Sequence, residues 1–470
     1  MMMSNFEEAD EYQIQGLIKR FEKMVARNKD YFFDVQEFED IIDFYLDRSD
    51  LTHADHSIEA AIGQHPGSII FLFKKALYLI ASSKYNEALT LLEKIEKIEV
   101  NNAEVYLTKG MVYSHQKKND QAIKEYRKAI ELADDPEEIY TNIAFEYENI
   151  GDYKEAIYFL KKVLELNPEN EAIIYELSFC FELSNLSEES IAYYHEFLDK
   201  TPYSKAAWFN LGIAYNNLEL YEKAVDAYDY AIAIDETFAS AYYNKANSYA
   251  NLSNYPMAIE AYNETFKYEE PEAMTYYYIG ECYEKSKEYV AAIENYQKAI
   301  EIDDKGADAW IGIGLCNNLL GNTVTALKCV KRAIDLEESN AEYWYILGDI
   351  QEKNNLIDKA IKSYEKVCEL EPTHPEIWLD FSNLYAEHKE LPKAIEIIQT
   401  GIEFLDDNIE FKYRLVVYLL KSGKSKEAYE LLEKALTTDY SAHEKLFEYQ
   451  EDLKKNSELM RILESFNENK

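Results

Sequence analysis

Residues 137–170 have the sequence EEIYTNIAFEYENIGDYKEAIYFLKKVLELNPEN, and this pattern returns twice farther along the chain. Residues 205–238 are KAAWFNLGIAYNNLELYEKAVDAYDYAIAIDETF, and residues 273–306 are AMTYYYIGECYEKSKEYVAAIENYQKAIEIDDKG. The three segments begin 68 residues apart, which is twice 34. A fixed period of this length is typical of a repeat protein rather than of a single globular core.

The same interval, extended in both directions, divides residues 35–442 into twelve 34-residue repeats without an insertion or deletion. The repeats begin at Val35, Ile69, Ala103, Glu137, Glu171, Lys205, Ala239, Ala273, Ala307, Ala341, Pro375 and Ile409. Position 20 of the repeat is alanine eleven times and serine once, and all four tryptophans occupy position 4. Position 8 is glycine, alanine or serine in ten repeats. Chance does not produce such an alignment.

The spacing predicts two antiparallel helices per repeat, at roughly positions 1–14 and 18–31, joined by a short turn. Small residues at positions 8 and 20 let the two helices approach each other. Large side chains at positions 4, 11 and 24 then fill the space between neighbouring helices. A single repeat cannot bury this apolar face, so stability comes from the interfaces between neighbours.

The pattern W-x2-L-G-x2-Y, followed by the alanine of position 20 and a closing proline, resembles the tetratricopeptide repeat family. The resemblance covers residues 35–442 and departs from the family mainly at Ile42 and Val416, which replace the small residue of position 8. It implies an all-α fold, a tetratricopeptide-repeat superhelix (an α-solenoid of antiparallel helix pairs).

We therefore expect an N-terminal capping helix (1–34), the twelve repeats (35–442), and a C-terminal capping helix with a tail (443–470). The apolar residues of the first segment fall on one helical face: Ile14, Leu17, Phe21, Met24 and Val25. Residues 443–467 show the same periodicity at Leu446, Tyr449, Leu453, Leu459, Ile462 and Phe466.

The chain is strongly acidic, with 49 basic and 89 acidic residues and a net charge of −40. Such a surface repels nucleic acid and anionic lipid, and it favours neutral or basic protein segments as partners. No stretch of 18 apolar residues predicts a membrane span. The N-terminal sequence MMMSNFEEADEYQIQG lacks the basic and apolar regions of a signal peptide. We expect a cytoplasmic location.

Motifs for catalysis are missing from the sequence, which contains no GxGxxG, GxxxxGK[ST], HExxH or GxSxG pattern. The five cysteines form no CxxC pair and are expected to be small buried side chains. His53 and His56 lie three residues apart, but no third ligand accompanies them. We expect a protein that is not an enzyme and that has no cofactor and no metal.

The family resemblance also implies where partners bind. Positions 2, 5, 6, 9, 12 and 13 of the first helices line the concave groove of such arrays. The asparagine and aromatic residues at these positions are the candidate peptide-binding residues: Asn142, Asn210, Asn217, Asn244, Asn247, Asn251, Tyr175, Phe209, Tyr243 and Tyr277. Phe145 and Phe179 occupy position 9 of the same wall.

An asparagine amide both donates and accepts hydrogen bonds, so a ladder of them can pair with the backbone of any extended peptide. Neighbouring aromatic rings offer flat apolar area at low entropic cost. The competing interpretation is that these asparagines are solvated polar residues, which a helix tolerates at little cost.

Acidic residues on the same helices favour a basic or neutral ligand, because like charges repel. These residues are Glu138, Glu148, Glu176, Glu182, Glu281, Glu284, Asp308, Asp349 and Glu352. Position 5 is never lysine, and the basic residues of position 6, Lys74 and Arg414, lie far apart. The carboxylate clamp that some family members use to hold chaperone tails is therefore absent.

The sequence thus favours a protein–protein interaction scaffold or adaptor that binds extended segments in a concave groove. Two alternatives remain open. One is a structural subunit of an assembly or secretion complex that uses its convex face or edges. The other is a substrate-recognition partner of a separate enzyme.

Overall fold

The computed structural model describes residues 2–27 and 31–467, with side chains described for residues 14–27 and 31–466. Over these residues the chain forms 27 α-helices and two short 3₁₀ segments, and it contains no strand. Consecutive helices pack in antiparallel pairs, which confirms the predicted all-α solenoid of helix pairs. The chain divides into two compact units, residues 1–236 and residues 237–470.

The first unit begins with an N-terminal helix and continues with six helix pairs. Its helices are α1 (Met2–Arg27), α2 (Val35–Asp47), α3 (Leu51–Gln64), α4 (Ile69–Ala81), α5 (Tyr85–Glu96), α6 (Ala103–His115), α7 (Asn119–Ile130), α8 (Glu137–Asn149), α9 (Tyr153–Leu166), α10 (Glu171–Leu183), α11 (Ser187–Lys200), α12 (Lys205–Asn217) and α13 (Tyr221–Ile234).

The second unit contains six further pairs and a C-terminal segment. Its paired helices are α14 (Ala239–Asn251), α15 (Tyr255–Thr265), α16 (Ala273–Lys285), α17 (Tyr289–Ile302), α18 (Ala307–Leu319), α19 (Thr323–Leu336), α20 (Ala341–Lys353), α21 (Ile357–Leu370), α22 (Pro375–Glu387), α23 (Leu391–Phe404), α24 (Ile409–Lys421) and α25 (Ser425–Thr438). The segment after them contains two 3₁₀ turns (Ser441–Glu444 and Glu451–Lys455), α26 (Lys445–Tyr449) and α27 (Ser457–Asn467).

Helix boundaries follow the 34-residue register closely. The first helix of every pair begins at position 1, from Val35 in repeat 1 to Ile409 in repeat 12, and its partner begins at position 17. The second helices therefore start one residue earlier than the sequence pattern predicts. Within each unit, every helix of the repeats packs against the next one along the chain.

Position 15 forms the turn inside every repeat and has a positive φ in all twelve. Glycine occupies it only three times, at Gly151, Gly321 and Gly423, while the other nine residues include Glu219 and Lys287. The N–H of position 16 donates to the carbonyl of position 11 in each repeat, as in a Schellman motif. This hydrogen bond holds even residues with a Cβ in the left-handed region, at a cost of about 1–2 kcal/mol each.

The interior of each pair is built on small residues facing large ones. The alanine of position 20 has no exposed surface in any of the eleven repeats that carry it, and Ser190 is 2% exposed. The largest fully buried side chains include eight tyrosines, and six of them are at position 24: Tyr126, Tyr194, Tyr228, Tyr262, Tyr296 and Tyr364. Four of these rings lie on a glycine at position 8, namely Gly110, Gly212, Gly280 and Gly348.

Helix α1 covers the first repeat with part of the predicted face. Phe21 is fully buried and contacts the rings of Phe33, Phe38 and Tyr45. Ile14, Leu17 and Met24 pack against the same cluster. Val25, which the periodicity places on this face, is 47% exposed, whereas Ile18 is buried.

The C-terminal segment differs from the single helix that its periodicity predicts. Extended backbone at Gln450 and Asn456 divides it into short helical pieces. Asn456 accepts a hydrogen bond from the N–H of Leu459 at 3.0 Å and so caps α27. Leu446, Leu453, Leu459 and Ile462 are nevertheless buried against the last pair of helices, and residues 468–470 lie outside the described part of the chain.

Candidate functional site

An exposed apolar stripe follows position 9 of three consecutive first helices in the first unit. Met111 lies on α6, Phe145 on α8 and Phe179 on α10, and their exposed fractions are 36, 41 and 51%. Exposed apolar residues also recur at position 30, from Ile98 to Phe404, so recurrence alone does not mark a site. The three residues of position 9 are a candidate interaction surface because they lie on consecutive first helices. We call these three residues the position-9 stripe. Met111 is neither asparagine nor aromatic and was therefore not among the predicted residues, although the 34-residue register places it at position 9 with Phe145 and Phe179.

The asparagines of the first unit differ in accessibility. Asn142 is half-buried on α8, and Asn217 is exposed at the end of α12. Asn210 is only 1% exposed, and its Nδ2 donates to the carbonyl of Ile174 at 3.4 Å. A peptide cannot reach an amide buried in this way. The assignment of Asn210 to an open binding wall is therefore corrected to a structural role.

Two aromatic residues at position 5 of the first unit contact each other. The ring of Tyr175 meets the ring of Phe209 edge to face, with centroids 6.2 Å apart. Tyr175 remains 36% exposed, whereas Phe209 is 8% exposed and packs on Tyr228. Tyr175 thus lies on the accessible wall, and Phe209 is corrected to an interior residue.

In the second unit, the three candidate asparagines all lie on α14. Asn244 Nδ2 donates to the carbonyl of Ser240 at 2.9 Å, and Asn247 accepts a hydrogen bond from the hydroxyl of Tyr262. Both side chains are half-buried, while Asn251 at the end of the helix is exposed. Asn251 is therefore the most accessible amide of this group.

The candidate tyrosines of the second unit are both half-buried. Tyr243 packs edge to face on Tyr262 and Tyr278, and burial raises the pKa of Tyr243 to about 12. Tyr277 packs on Tyr296, with ring centroids 5.6 Å apart. One side of Tyr277 forms the wall of a pocket of about 410 Å³ between α16 and α18.

A cluster of titratable groups lies between α8 and α10. Oxygen and sulfur atoms of Glu148, Glu176 and Cys180 come within 4.8 Å of one another. Burial raises the pKa of Glu148, and the hydrogen bond and negative charge of Glu176 raise it further. Burial also raises the pKa of Cys180, whose thiol donates to Glu148 Oε1 at 3.5 Å. The raised pKa values favour the protonated forms of Glu148 and Cys180, whereas a metal ligand must be deprotonated.

Tyrosine hydroxyls hold four carboxylates of the second unit in place. Each hydroxyl donates at 2.6–2.7 Å, in the pairs Tyr296–Glu284, Tyr343–Asp308, Tyr345–Asp380 and Tyr364–Glu352. Burial raises the pKa of Glu281 and of Glu352 on the same wall. The tyrosine hydroxyls therefore fix the four carboxylates in position, but a neutral hydroxyl does not neutralise their negative charge.

The histidine pair of repeat 1 is engaged in local contacts. His53 Nδ1 lies 2.8 Å from Asp50 Oδ2, and its ring stacks on Tyr45. Within the described side chains, the one group of three suitable metal ligands is the Glu148 cluster. None of the helices in the described chain is long and apolar enough to cross a membrane.

Comparison with known proteins connects this architecture to a family. Two models of the tetratricopeptide repeat match the chain, one at residues 137–170, 206–238 and 273–305, the other at residues 103–136, 239–270 and 341–374. No curated protein sequence matches.

Several solved structures show a likeness at low sequence identity. The C-terminal part of a TPR repeat-containing protein from Cytophaga hutchinsonii is 20% identical, with a TM-score of 0.43, over 51% of this chain and 98% of that one. Yeast Tom70 is 16% identical, with a TM-score of 0.41, and the match covers 83% of this chain and 96% of Tom70. A chain of the APC/C hetero-tetramer Cut9–Hcn1 is 16% identical, with a TM-score of 0.39, and the match covers 92% of this chain and 95% of that one.

The helix pairs and the repeat matches define an all-α repeat protein of the class that serves as a scaffold for other proteins. The chain belongs to the tetratricopeptide repeat family. Members of this family are generally non-enzymatic and bind other proteins, and the chain is a protein-interaction scaffold of this kind.

Proposed function

We propose that the chain binds extended segments of partner proteins along the wall formed by its first helices. The position-9 stripe is the observation that carries this proposal. Phe145 and Phe179 are 41 and 51% exposed, so covering what remains of each ring contributes about 1 kcal/mol, roughly half the value for complete burial. The stripe therefore offers anchors at regular intervals to any segment that runs across α6, α8 and α10.

Polar groups beside the position-9 stripe provide hydrogen bonds to the ligand. Asn142 lies three residues before Phe145 on α8, and Tyr175 lies four residues before Phe179 on α10, so each pair shares a helical face. An amide and a phenol hydroxyl can pair with a peptide backbone whatever its side chains. The proposed ligand is thus an extended, neutral or basic segment with apolar side chains at intervals.

The test compares capture of partner proteins by the full wild-type chain and by the double variant Phe145→Gln/Phe179→Gln. Glutamine keeps helix propensity and removes the apolar anchor. The matched control is Tyr203→Gln/Val324→Gln, because these residues are 84 and 86% exposed and lie outside the first helices. Quantitative mass spectrometry of the captured proteins gives the readout.

We expect the stripe variant to lose its partners at least tenfold while the control variant keeps them. Hydrogen–deuterium exchange of the wild-type complex should show added protection on α6, α8 and α10. Retention by the stripe variant, together with loss in the control variant, would contradict the proposal. That result would support the alternative of an assembly subunit that uses its outer face.

A further inference from the structure

Three pockets in the described chain occupy the same repeat positions. The pocket of repeat 8 has a volume of about 410 Å³, and that of repeat 10 has a volume of about 430 Å³. A third, of about 150 Å³, lies in repeat 2. Each is lined by positions 1, 2, 5, 27, 31 and 34 of its own repeat and by position 2 of the next. The pockets are thus equivalent sites of the array.

The same chemistry recurs at two kinds of position in these pockets. Position 5 is aromatic in all three, as Phe73, Tyr277 and Tyr345. Position 31 and the following position 2 are both acidic: Glu99 with Glu104, Asp303 with Asp308, and Glu371 with Glu376. Among the repeats that are followed by another repeat, these three are the ones whose sequence combines an aromatic residue with both acids. An aromatic face beside two carboxylates is a suitable site for an organic cation.

Repeat 2 already contains a cation of its own. Lys74 lines its pocket, and the Nζ of Lys74 lies 2.7 and 2.8 Å from the two carboxylate oxygens of Asp43. This pocket is also much smaller than the other two. The ammonium group of Lys74 thus pairs with a carboxylate of the preceding repeat, and the side chain takes up part of the pocket.

The pockets of repeats 8 and 10 have no such built-in lysine or arginine in their linings. In the part of the chain that the structure describes, none of Asp303, Asp308, Glu371 and Glu376 forms an ion pair within 4.0 Å. Asp308 Oδ1 accepts a hydrogen bond from Tyr343, which fixes this carboxylate at the pocket. His374 is the only residue of either lining that can become positively charged.

We propose that these two pockets each hold one arginine or lysine side chain of an extended partner segment. The inference rests on the proposed function and specifies the partner's chemistry within the second unit. The guanidinium or ammonium group lies between the carboxylates of positions 31 and 2, and the alkyl stem lies against the tyrosine of position 5. Two carboxylates attract the positive charge of arginine or lysine, so a neutral side chain of the same shape should bind more weakly.

The spacing of the pockets sets the spacing of the basic residues. Helices α16 and α18 contact each other directly, and α20 is the next first helix along the stack. Two helix-to-helix steps of about 10 Å each give roughly 20 Å between the pockets. An extended peptide advances about 3.3 Å per residue, so the two basic side chains should be about six residues apart.

The experiment uses fluorescein-labelled synthetic peptides of an otherwise neutral Gly/Ser/Ala sequence and the full chain. One peptide has two arginines six residues apart, and its partner peptide has citrulline at both positions, which keeps the shape and removes the charge. The protein variant is Asp308→Asn/Glu376→Gln, which removes one charge from each pocket at nearly constant volume. The control variant is Glu294→Gln/Glu365→Gln, which removes two exposed charges from the second helices α17 and α21.

Fluorescence polarisation should show saturable binding of the arginine peptide and at least tenfold weaker binding of the citrulline peptide. The pocket variant should lose at least tenfold in affinity for the arginine peptide, while the control variant stays within twofold of wild type. Equal affinity for the two peptides, no saturable binding up to millimolar concentration, or an equal loss in both variants overturns the inference. An equal loss would assign the attraction to the bulk negative charge.

Failure of this inference is distinguishable from failure of the proposed function. A partner that requires Phe145 and Phe179 but is indifferent to the pocket variant leaves the proposed function intact and refutes the pockets. If the arginine peptide binds the pockets but the stripe variant still captures its partners, the proposed function of the first unit is refuted and the inference about the pockets stands.

Discussion

The ring of Tyr296 lies directly on Gly280, so that a Cβ built on this glycine would be 2.7 Å from the ring atoms Cδ1 and Cε1. The far edge of the same ring faces Gly312 in the next repeat. The hydroxyl of Tyr296 donates to Glu284 at 2.7 Å, which fixes the end of the ring. The tyrosine is therefore held between two glycines of neighbouring repeats, and it links the packing within repeat 8 to the packing between repeats 8 and 9.

Gly280→Ala should destabilise repeats 8 and 9 by about 1–3 kcal/mol, because the ring can move from one added Cβ only toward Gly312. The measurement is denaturant unfolding combined with hydrogen exchange of α16, α17 and α18. Gly63→Ala is the matched control, since nothing lies within 4 Å of its Cβ in helix α3. The control should be neutral or stabilising by up to about 1 kcal/mol.

Repeats 5 and 7 limit the size of this effect. Ser178 and Ala246 occupy position 8 beside the buried rings of Tyr194 and Tyr262, so the fold accommodates a Cβ where its surroundings suit it. If Gly280→Ala proved as harmless as Gly63→Ala, the ring would be free to shift and the explanation of position 8 would fail.

Asn210→Ala should destabilise the first unit by about 1–2 kcal/mol, because it removes a buried hydrogen bond to the carbonyl of Ile174 and leaves a small void. The hydroxyl of Tyr194 still donates to that carbonyl at 2.9 Å, which limits the loss. Faster amide exchange in α10 and α12 is the expected readout. Asn251→Ala, at an exposed asparagine, should change stability by less than about 0.5 kcal/mol. Unchanged exchange in the Asn210 variant would restore it as a candidate for partner contact.

The sequence predicted the helix pairs well because residues of the same size occupy the same helix contacts in all twelve repeats. An alanine at position 20 means a close helix crossing in any repeat, so its burial follows from the period alone. Asn142 and Asn210 share position 6, yet one is half-buried and the other is 1% exposed. The difference depends on how closely a neighbouring helix approaches, which no single repeat encodes.

The proposed binding surface was harder to predict for the same reason. The position-9 stripe and the pockets of repeats 8 and 10 combine residues of neighbouring repeats, such as Tyr277 of repeat 8 with Asp308 of repeat 9. Composition rules that ask for asparagine or aromatic residues at single positions pass over Met111 and Asp303. Searching for combinations across adjacent repeats would have found the pockets from the sequence once their geometry was known.

Lys287→Gly should stabilise the chain by about 1 kcal/mol, because Lys287 adopts a left-handed conformation, with φ at 63°, that costs a residue with a Cβ about that much. Glu219→Gly, at a φ of 58°, should act in the same direction. Glu294→Gly in the middle of α17 provides the opposite control and should cost about 1 kcal/mol. Denaturant midpoints of the three variants give the comparison. A loss of stability at position 15 would mean that the side chains there make contacts that outweigh the backbone strain.

Glu148→Gln should make stability less dependent on pH. Burial and the neighbouring Glu176 raise the pKa of Glu148 in the folded chain above its unfolded value of about 4.3. The folded state therefore holds this proton more tightly, and the associated stability is fully present below the unfolded pKa. It is lost as the pH rises through the raised folded pKa, so the wild type should weaken from mildly acidic to mildly basic solution.

Glutamine can keep a hydrogen bond to Glu176 while avoiding the buried charge, so the variant should melt higher than the wild type at pH 8 and by a smaller margin at pH 5. Melting temperatures at both pH values are the measurement, and Glu182→Gln, at an exposed carboxylate of α10, is the control. The titratable groups facing Glu148 are Glu176 and Cys180, and both are unchanged in the variant. A melting difference that stays constant between pH 5 and pH 8 would show that Glu148 does not titrate abnormally in the folded chain.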